Sequence, residues 1–309
     1  MSESLADRIK QALDEGRLLI LGAQVLLGFQ FRAAFEPSFE HLPASHRYLN
    51  LAGLALLIVA VGLLMWPAAY HQLVARGEAT HDVHRFITAV TGWTLLPFAL
   101  SLGIDLFVAV AKVAPGFPAI GAGVGATMVA LTFWYGLEWL VRAVRGAPRE
   151  RNPTGEAGPT SLQKRVEELL TECRVVLPGA QALLGFQLAI VLMEAFDRLP
   201  VSSRYVHLAS LSAIALTTVL LIAPAAYHRI VDRGEDTPSF LRFASATLVA
   251  SLVTLALGMA GDLYVVVGKV TESRGIAIAA ASLCLTVLYG AWFGLTLARR
   301  GRSLRAHPP

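Results

Sequence analysis

The feature that most limits how this chain can fold is a set of six apolar blocks, each 22 residues or longer, that recur in the same order in its two halves. They run Leu49–Tyr70, Phe86–Val113 and Ala119–Val141 in the first half, and Val206–Tyr227, Phe243–Val270 and Ile276–Ala298 in the second. A helix of ~22 residues reaches about 33 Å, enough to cross a hydrocarbon core of about 30 Å. Lipid offers no hydrogen-bond partners, so each block must satisfy its own backbone, and helix is the state that does so. Composition agrees. Of 309 residues, 55% are apolar and 16% charged, where a soluble chain carries about a quarter charged residues. Disorder, a coiled coil and a disulfide scaffold are all poor readings.

Charge and cysteine set further bounds. The net charge of +4 would suggest nucleic acid in a soluble protein. Here the basic residues lie between apolar blocks, where they orient the chain in a membrane, so lipids and not nucleic acid are the expected partners. Cys173 and Cys284 form no CxxC pair, which leaves a zinc knuckle or redox motif unsupported.

The halves are copies. GAQVLLGFQ at Gly22–Gln30 returns as GAQALLGFQ at Gly179–Gln187, an offset of 157. The same offset pairs Arg47-Tyr48 with Arg204-Tyr205, Tyr70-His71 with Tyr227-His228, Asp105 with Asp262, and Lys112 with Lys269. Near the last block it falls to 154, pairing Tyr135-Gly136 with Tyr289-Gly290. A run of matches at one period means duplication. The reading is a first membrane repeat over 1–145, a Pro/Gly-rich linker over 146–161, a second repeat over 162–300, and a short basic tail over 301–309.

The first block of each half, Leu18–Phe35 and Val175–Phe196, is short or interrupted by polar residues. Charge decides whether it spans. With four spans per half, 19 Lys and Arg fall on the side of the N-terminus and seven on the other; with three spans per half the split is 13 and 13. The positive-inside bias selects four. The expected fold is all-α: a polytopic membrane protein of eight transmembrane helices, as two parallel-oriented four-helix repeats, with both termini in the cytoplasm and a bacterial inner membrane as location. An even count makes the halves face the same way about an axis along the membrane normal. Leu5, Ile9 and Leu13, and Leu162, Val166 and Leu169 or Leu170, recur at helical spacing among polar neighbours and predict short amphipathic helices lying in the interface.

Polar groups kept by both halves are the candidate sites. Asp105 and Asp262 sit inside apolar blocks, where a carboxylate must pair, protonate or face water. Arg47 and Arg204, at the outer start of the preceding span, are the preferred partners by depth and charge. The structural reading is a helix-locking ion pair; the functional one is an ion, proton or substrate site. Pro67 and Pro224 are expected to end or kink their spans. Tyr70, His71, Tyr227 and His228 follow at the cytoplasmic interface. A histidine there relays protons or bonds a neighbouring loop. Arg76 and Glu78, with Arg233, occupy the adjoining loops. Gln24, Gln30, Gln181 and Gln187 are either interhelical glue or a polar lining.

Other polar groups belong to one half only. Glu36, Glu40, His41 and His46 are not repeated, nor is the His81/His84 pair, nor Glu138. No spacing enforces a metal geometry, and no nucleotide fingerprint or catalytic triad is present, so no cofactor, metal or catalytic residue is expected.

The PAAYH element, the GxQxLLGFQ first span and the four-span unit resemble a bacterial family of small, uncharacterised integral membrane proteins classed as a domain of unknown function. Its members usually carry one such unit, and this chain resembles two in tandem. The resemblance implies architecture and brings no activity with it. An enzyme is not expected. A structural or regulatory membrane protein is favoured, a small-solute, ion or proton transporter or channel is the alternative, and a membrane-embedded enzyme comes last. Self-association into a homo-oligomer is a further expectation.

Overall fold

The computed structural model describes residues 5–74, 81–136, 161–230, 232 and 235–298. Among them every regular element is a helix. The first repeat contains α1 (Leu5–Ala33), the short α2 (Pro37–Glu40), α3 (Ala44–Leu73), α4 (His81–Ala111) and α5 (Phe117–Leu131). The second contains α6 (Leu162–Val191), the short α7 (Glu194–Asp197), α8 (Val201–Ile230), α9 (Pro238–Thr271) and α10 (Arg274–Tyr289). The helices α5 and α10 run on into π-helical turns at Thr132–Gly136 and Gly290–Leu295, where the matched Tyr-Gly pairs lie. The linker to residue 160, the tail, Arg76, Glu78, Arg233 and Glu138 lie outside the described residues, as do the side chains of Leu5, Ile9, Leu13, His81 and His84.

Among the described residues, seven helices are long and apolar enough to cross a membrane; α1 has a shorter apolar stretch, Leu19–Ala33. Helix starts follow local chemistry. Ser161, Thr237 and Ser273 each accept a hydrogen bond from the backbone N–H three residues on, filling a donor that the first turn leaves open. Two expectations are corrected here. The amphipathic segments are not separate interfacial helices, because α1 and α6 are each continuous. On α6, Val166, Leu169, Cys173 and Val176 are buried in the bundle, so this stripe packs against protein and not lipid headgroups. Pro67 and Pro224 do not end their helices either, which continue to Leu73 and Ile230. Neighbouring helices make an interior proline tolerable in a membrane bundle.

Within each repeat the second and third long helices pack together, the third packs on the fourth, and the first leans on the second. Small residues set the closest approach, in opposite senses in the two copies. In the first, Gly53 on α3 admits Ser101 and Ile104 of α4; in the second, Ser210 on α8 presses toward Gly258 and Gly261 of α9. The bulk has moved from one helix to the other while the gap is conserved.

The repeats meet along α1 against α6 and α3 against α9 and the final π turn. Phe29 and its counterpart Phe186 touch across this seam, with ring centroids 4.5 Å apart. Glu40 of the first repeat reaches Arg198 and Lys269 of the second, so the loops after α1 and α6 lie on one side. The halves therefore face the same way. We call that side the far face, and the side of the linker the linker face.

Candidate functional site

Asp105 on α4 is met by a neutral donor from α1. Gln30 Nε2 lies 2.6 and 2.7 Å from the two carboxylate oxygens. It also lies 3.0 Å from Ser101 Oγ, whose hydroxyl donates to the Gly53 carbonyl at 3.0 Å. One polar knot thus ties α1, α3 and α4. The second repeat builds the same knot: Gln187 Nε2 on α6 donates to Asp262 Oδ2 on α9. Here α8 adds His207, whose Nδ1 is 3.6 Å from Asp262 Oδ1 and whose Nε2 is 3.1 Å from the Gln187 carbonyl. A carbonyl only accepts, so Nε2 carries the hydrogen. The position matching His207 in the first repeat is Asn50, also buried.

The arginine pairing is a correction. Neither Arg47 nor Arg204 forms an ion pair with an aspartate among the described residues. Depth and opposite charge made arginine the natural partner. The amide of the first helix reaches the carboxylate without taking a second charge out of water, which is the costly step in a buried ion pair.

A second cluster is buried toward the linker face. His71 Nδ1 on α3 is 3.2 Å from Glu172 Oε1 on α6, and its Nε2 is 4.0 Å from Glu168 Oε2. Gln72 donates to Glu172 Oε2 at 3.0 Å, and Ser245 on α9 donates to Gln72 Oε1 at 3.1 Å. Three helices from two repeats share this network. His228 does something else: it faces Asp236 at 3.3 Å and packs on Phe240. The tyrosines keep one role in both copies, with Tyr70 stacked on Phe86 and Tyr227 on Phe243. The sequence reading passed over Glu168 and Glu172, although two acids four apart on the buried stripe of an amphipathic helix were the available signal.

The four glutamines separate by role. Gln30 and Gln187 hold the aspartates. Gln24 is fully buried in front of Gly179, where an added Cβ would lie 1.5 Å from its Oε1, and neither amide atom has a hydrogen-bond partner among the described residues. Gln181 is exposed.

At the far face Glu40 accepts from Lys269 Nζ at 3.0 Å, with Arg198 at 3.4 Å. The hydrogen bond from Lys269, then its charge, hold the Glu40 carboxyl below the ordinary carboxylate range. A depressed carboxyl pKa adds stability above the unfolded-state value, and that stability is lost as pH falls through the folded value. Thermal unfolding of Glu40→Gln in detergent is therefore expected to fall less than wild type on acidification below about 4.5, and to match its slope near neutrality. An identical acid slope in both proteins would refute this. Arg47 lines the cavity of about 720 Å³ that opens beside this bridge. Neither aspartate lines this cavity or the apolar grooves on the helix surfaces.

Residues 2–138 and 155–296 each match the model of one family, described as a family of unknown function (DUF6328). The chain belongs to this family. It carries the family unit twice, as a tandem duplication, and each unit holds one complete Gln–Asp knot. No curated protein and no solved structure matches the chain. Membership thus gives the protein a family without giving it an activity.

Proposed function

We propose that the chain is a non-enzymatic structural or regulatory protein of the bacterial inner membrane, with eight spans, both termini cytoplasmic, and its two family units working as one body. The observation that carries this reading is the fate of the intramembrane aspartates: each is held by a glutamine amide of its own unit. A carboxylate held in this way ties helices together. Eight spans are favoured because α1 packs along α6, its counterpart in the second repeat and a helix of spanning length. The basic residues support the cytoplasmic assignment.

Reconstitution in liposomes tests the reading. Ion, proton and small-solute flux is expected to stay at the protein-free level for wild type, Asp105→Asn and Asp262→Asn. Wild-type flux that both substitutions abolish would overturn it. The second reading, proton-linked transport, rests on His207 beside Asp262, an acid and an imidazole adjacent within the membrane. That reading requires His207→Asn, which copies the first repeat, to lose flux.

A further inference from the structure

The far-face cavity is a basic pocket beside an apolar groove. Its walls include Arg47, Arg198, Lys269 and Arg274 against two acids, Glu40 and Glu272. Glu40 is already taken by Lys269 and Arg198. Arg47 and Arg274 form no ion pair among the described residues, so the pocket keeps two cations and an excess of positive charge. A groove of about 440 Å³ runs along α3, α9 and α10, with walls apolar apart from Tyr48 and the Cys284 thiol.

The two adjoin along three helices, with no lining residue in common. Arg47 is followed by Tyr48 on α3, Gly268 is preceded by Val267 on α9, and Ala277 is preceded by Ile276 on α10; the first of each pair lines the pocket and the second the groove. All three helices then carry the groove toward the membrane centre, α3 as far as Val59 and α10 as far as Leu288. From Tyr48 to Val59 is roughly 16 Å at 1.5 Å per residue. A basic mouth near the far-face ends of these helices, beside an apolar channel of that length, has the polarity of one kind of molecule.

We propose that this pocket and groove form a single binding site for an anionic phospholipid, its phosphate between Arg47 and Arg274 and one acyl chain along α3 between α9 and α10. Charge complementarity selects an anionic headgroup, and a cavity of this size is in the range that holds small ligands. The site occurs once per chain. The positions matching Arg274 at offsets of 157 and 154 are Phe117 and Ile120, and the one matching Arg198 is His41, so the first repeat cannot supply the same mouth. The site does not depend on whether the protein transports anything.

The test uses the full chain in detergent. Phosphatidylglycerol and phosphatidylcholine with the same acyl chains, and inorganic phosphate alone, are titrated by thermal shift and native mass spectrometry. Phosphatidylglycerol is expected to bind at least about tenfold more tightly than phosphatidylcholine. Arg47→Gln and Arg274→Gln are each expected to weaken phosphatidylglycerol about tenfold and to remove most of its preference, phosphatidylcholine losing less because its choline cation already offsets the phosphate that both lipids carry. Ala55→Trp, which fills the groove from a lipid-exposed position, is expected to weaken both lipids. Arg274 is exposed, so its variant reports even if Arg47→Gln fails to fold. Equal binding of the two lipids by wild type, or an unchanged preference in Arg274→Gln, would overturn the proposal. So would inorganic phosphate binding as tightly as phosphatidylglycerol with Ala55→Trp having no effect, which would mean a free-anion site.

Discussion

Replacing Gln187 by leucine is expected to cost about 3 kcal/mol of stability, and adding Asp262→Leu to the same chain is expected to recover most of it. The argument turns on asymmetry. Gln187 and Asp262 are both buried, and the amide is the donor that meets the carboxylate. Removing it leaves Asp262 in an apolar bundle with His207 3.6 Å away, beyond hydrogen-bond distance. A buried polar group left without its partner costs up to about 3 kcal/mol, whereas replacing both partners with apolar groups of similar size is close to neutral. Gln30→Leu is expected to cost less, because Asp105 is only partly buried and retains access to the surface. Unfolding in mixed micelles measures all three. A Gln187→Leu loss below about 0.5 kcal/mol would mean that the pair does not lock the helices.

These knots show what the sequence could and could not carry. Each partner was a candidate, since Gln30, Asp105, Gln187 and Asp262 all repeat at one offset. Repetition says that a residue matters in both copies. It does not say which helix lies beside which, and the carboxylate was assigned to an arginine when the first helix held its donor. The spans were legible because hydrocarbon thickness and backbone satisfaction leave few options. Asymmetry was harder to see. Gln24 and Gln181 match in sequence, yet one is fully buried against Gly179 and the other is exposed. His71 and His228 also match, yet one meets two glutamates from the other repeat and the other an aspartate in its own loop. Duplicated sequence need not have duplicated surroundings, because the contacts between repeats depend on residues that only one copy carries.

Trp292 is such a residue, and Trp292→Ala is expected to cost about 3–5 kcal/mol. Its side chain is completely buried, and its Nε1 donates to the Gly62 carbonyl on α3 at 2.7 Å. One turn further along α3, Trp66 Nε1 donates to Thr296 Oγ1 at 3.1 Å, so two indoles bridge the repeats in opposite directions. Gly62 also lets α10 approach α3 closely, since a Cβ there would lie 2.5 Å from Leu288 Cδ2. At the matching position the first repeat carries Glu138, at an offset of 154, so the first repeat supplies no counterpart of this tryptophan. Trp292→Phe keeps most of the buried volume and loses the hydrogen bond to a carbonyl within a helix together with part of the ring, a loss of about 1–2 kcal/mol. Thermal or denaturant unfolding of the two variants separates packing from hydrogen bonding. A large loss for alanine with a small one for phenylalanine means that the seam is held by the buried volume of the Trp292 ring. Equal losses would transfer that role to the indole hydrogen bond and refute the packing argument.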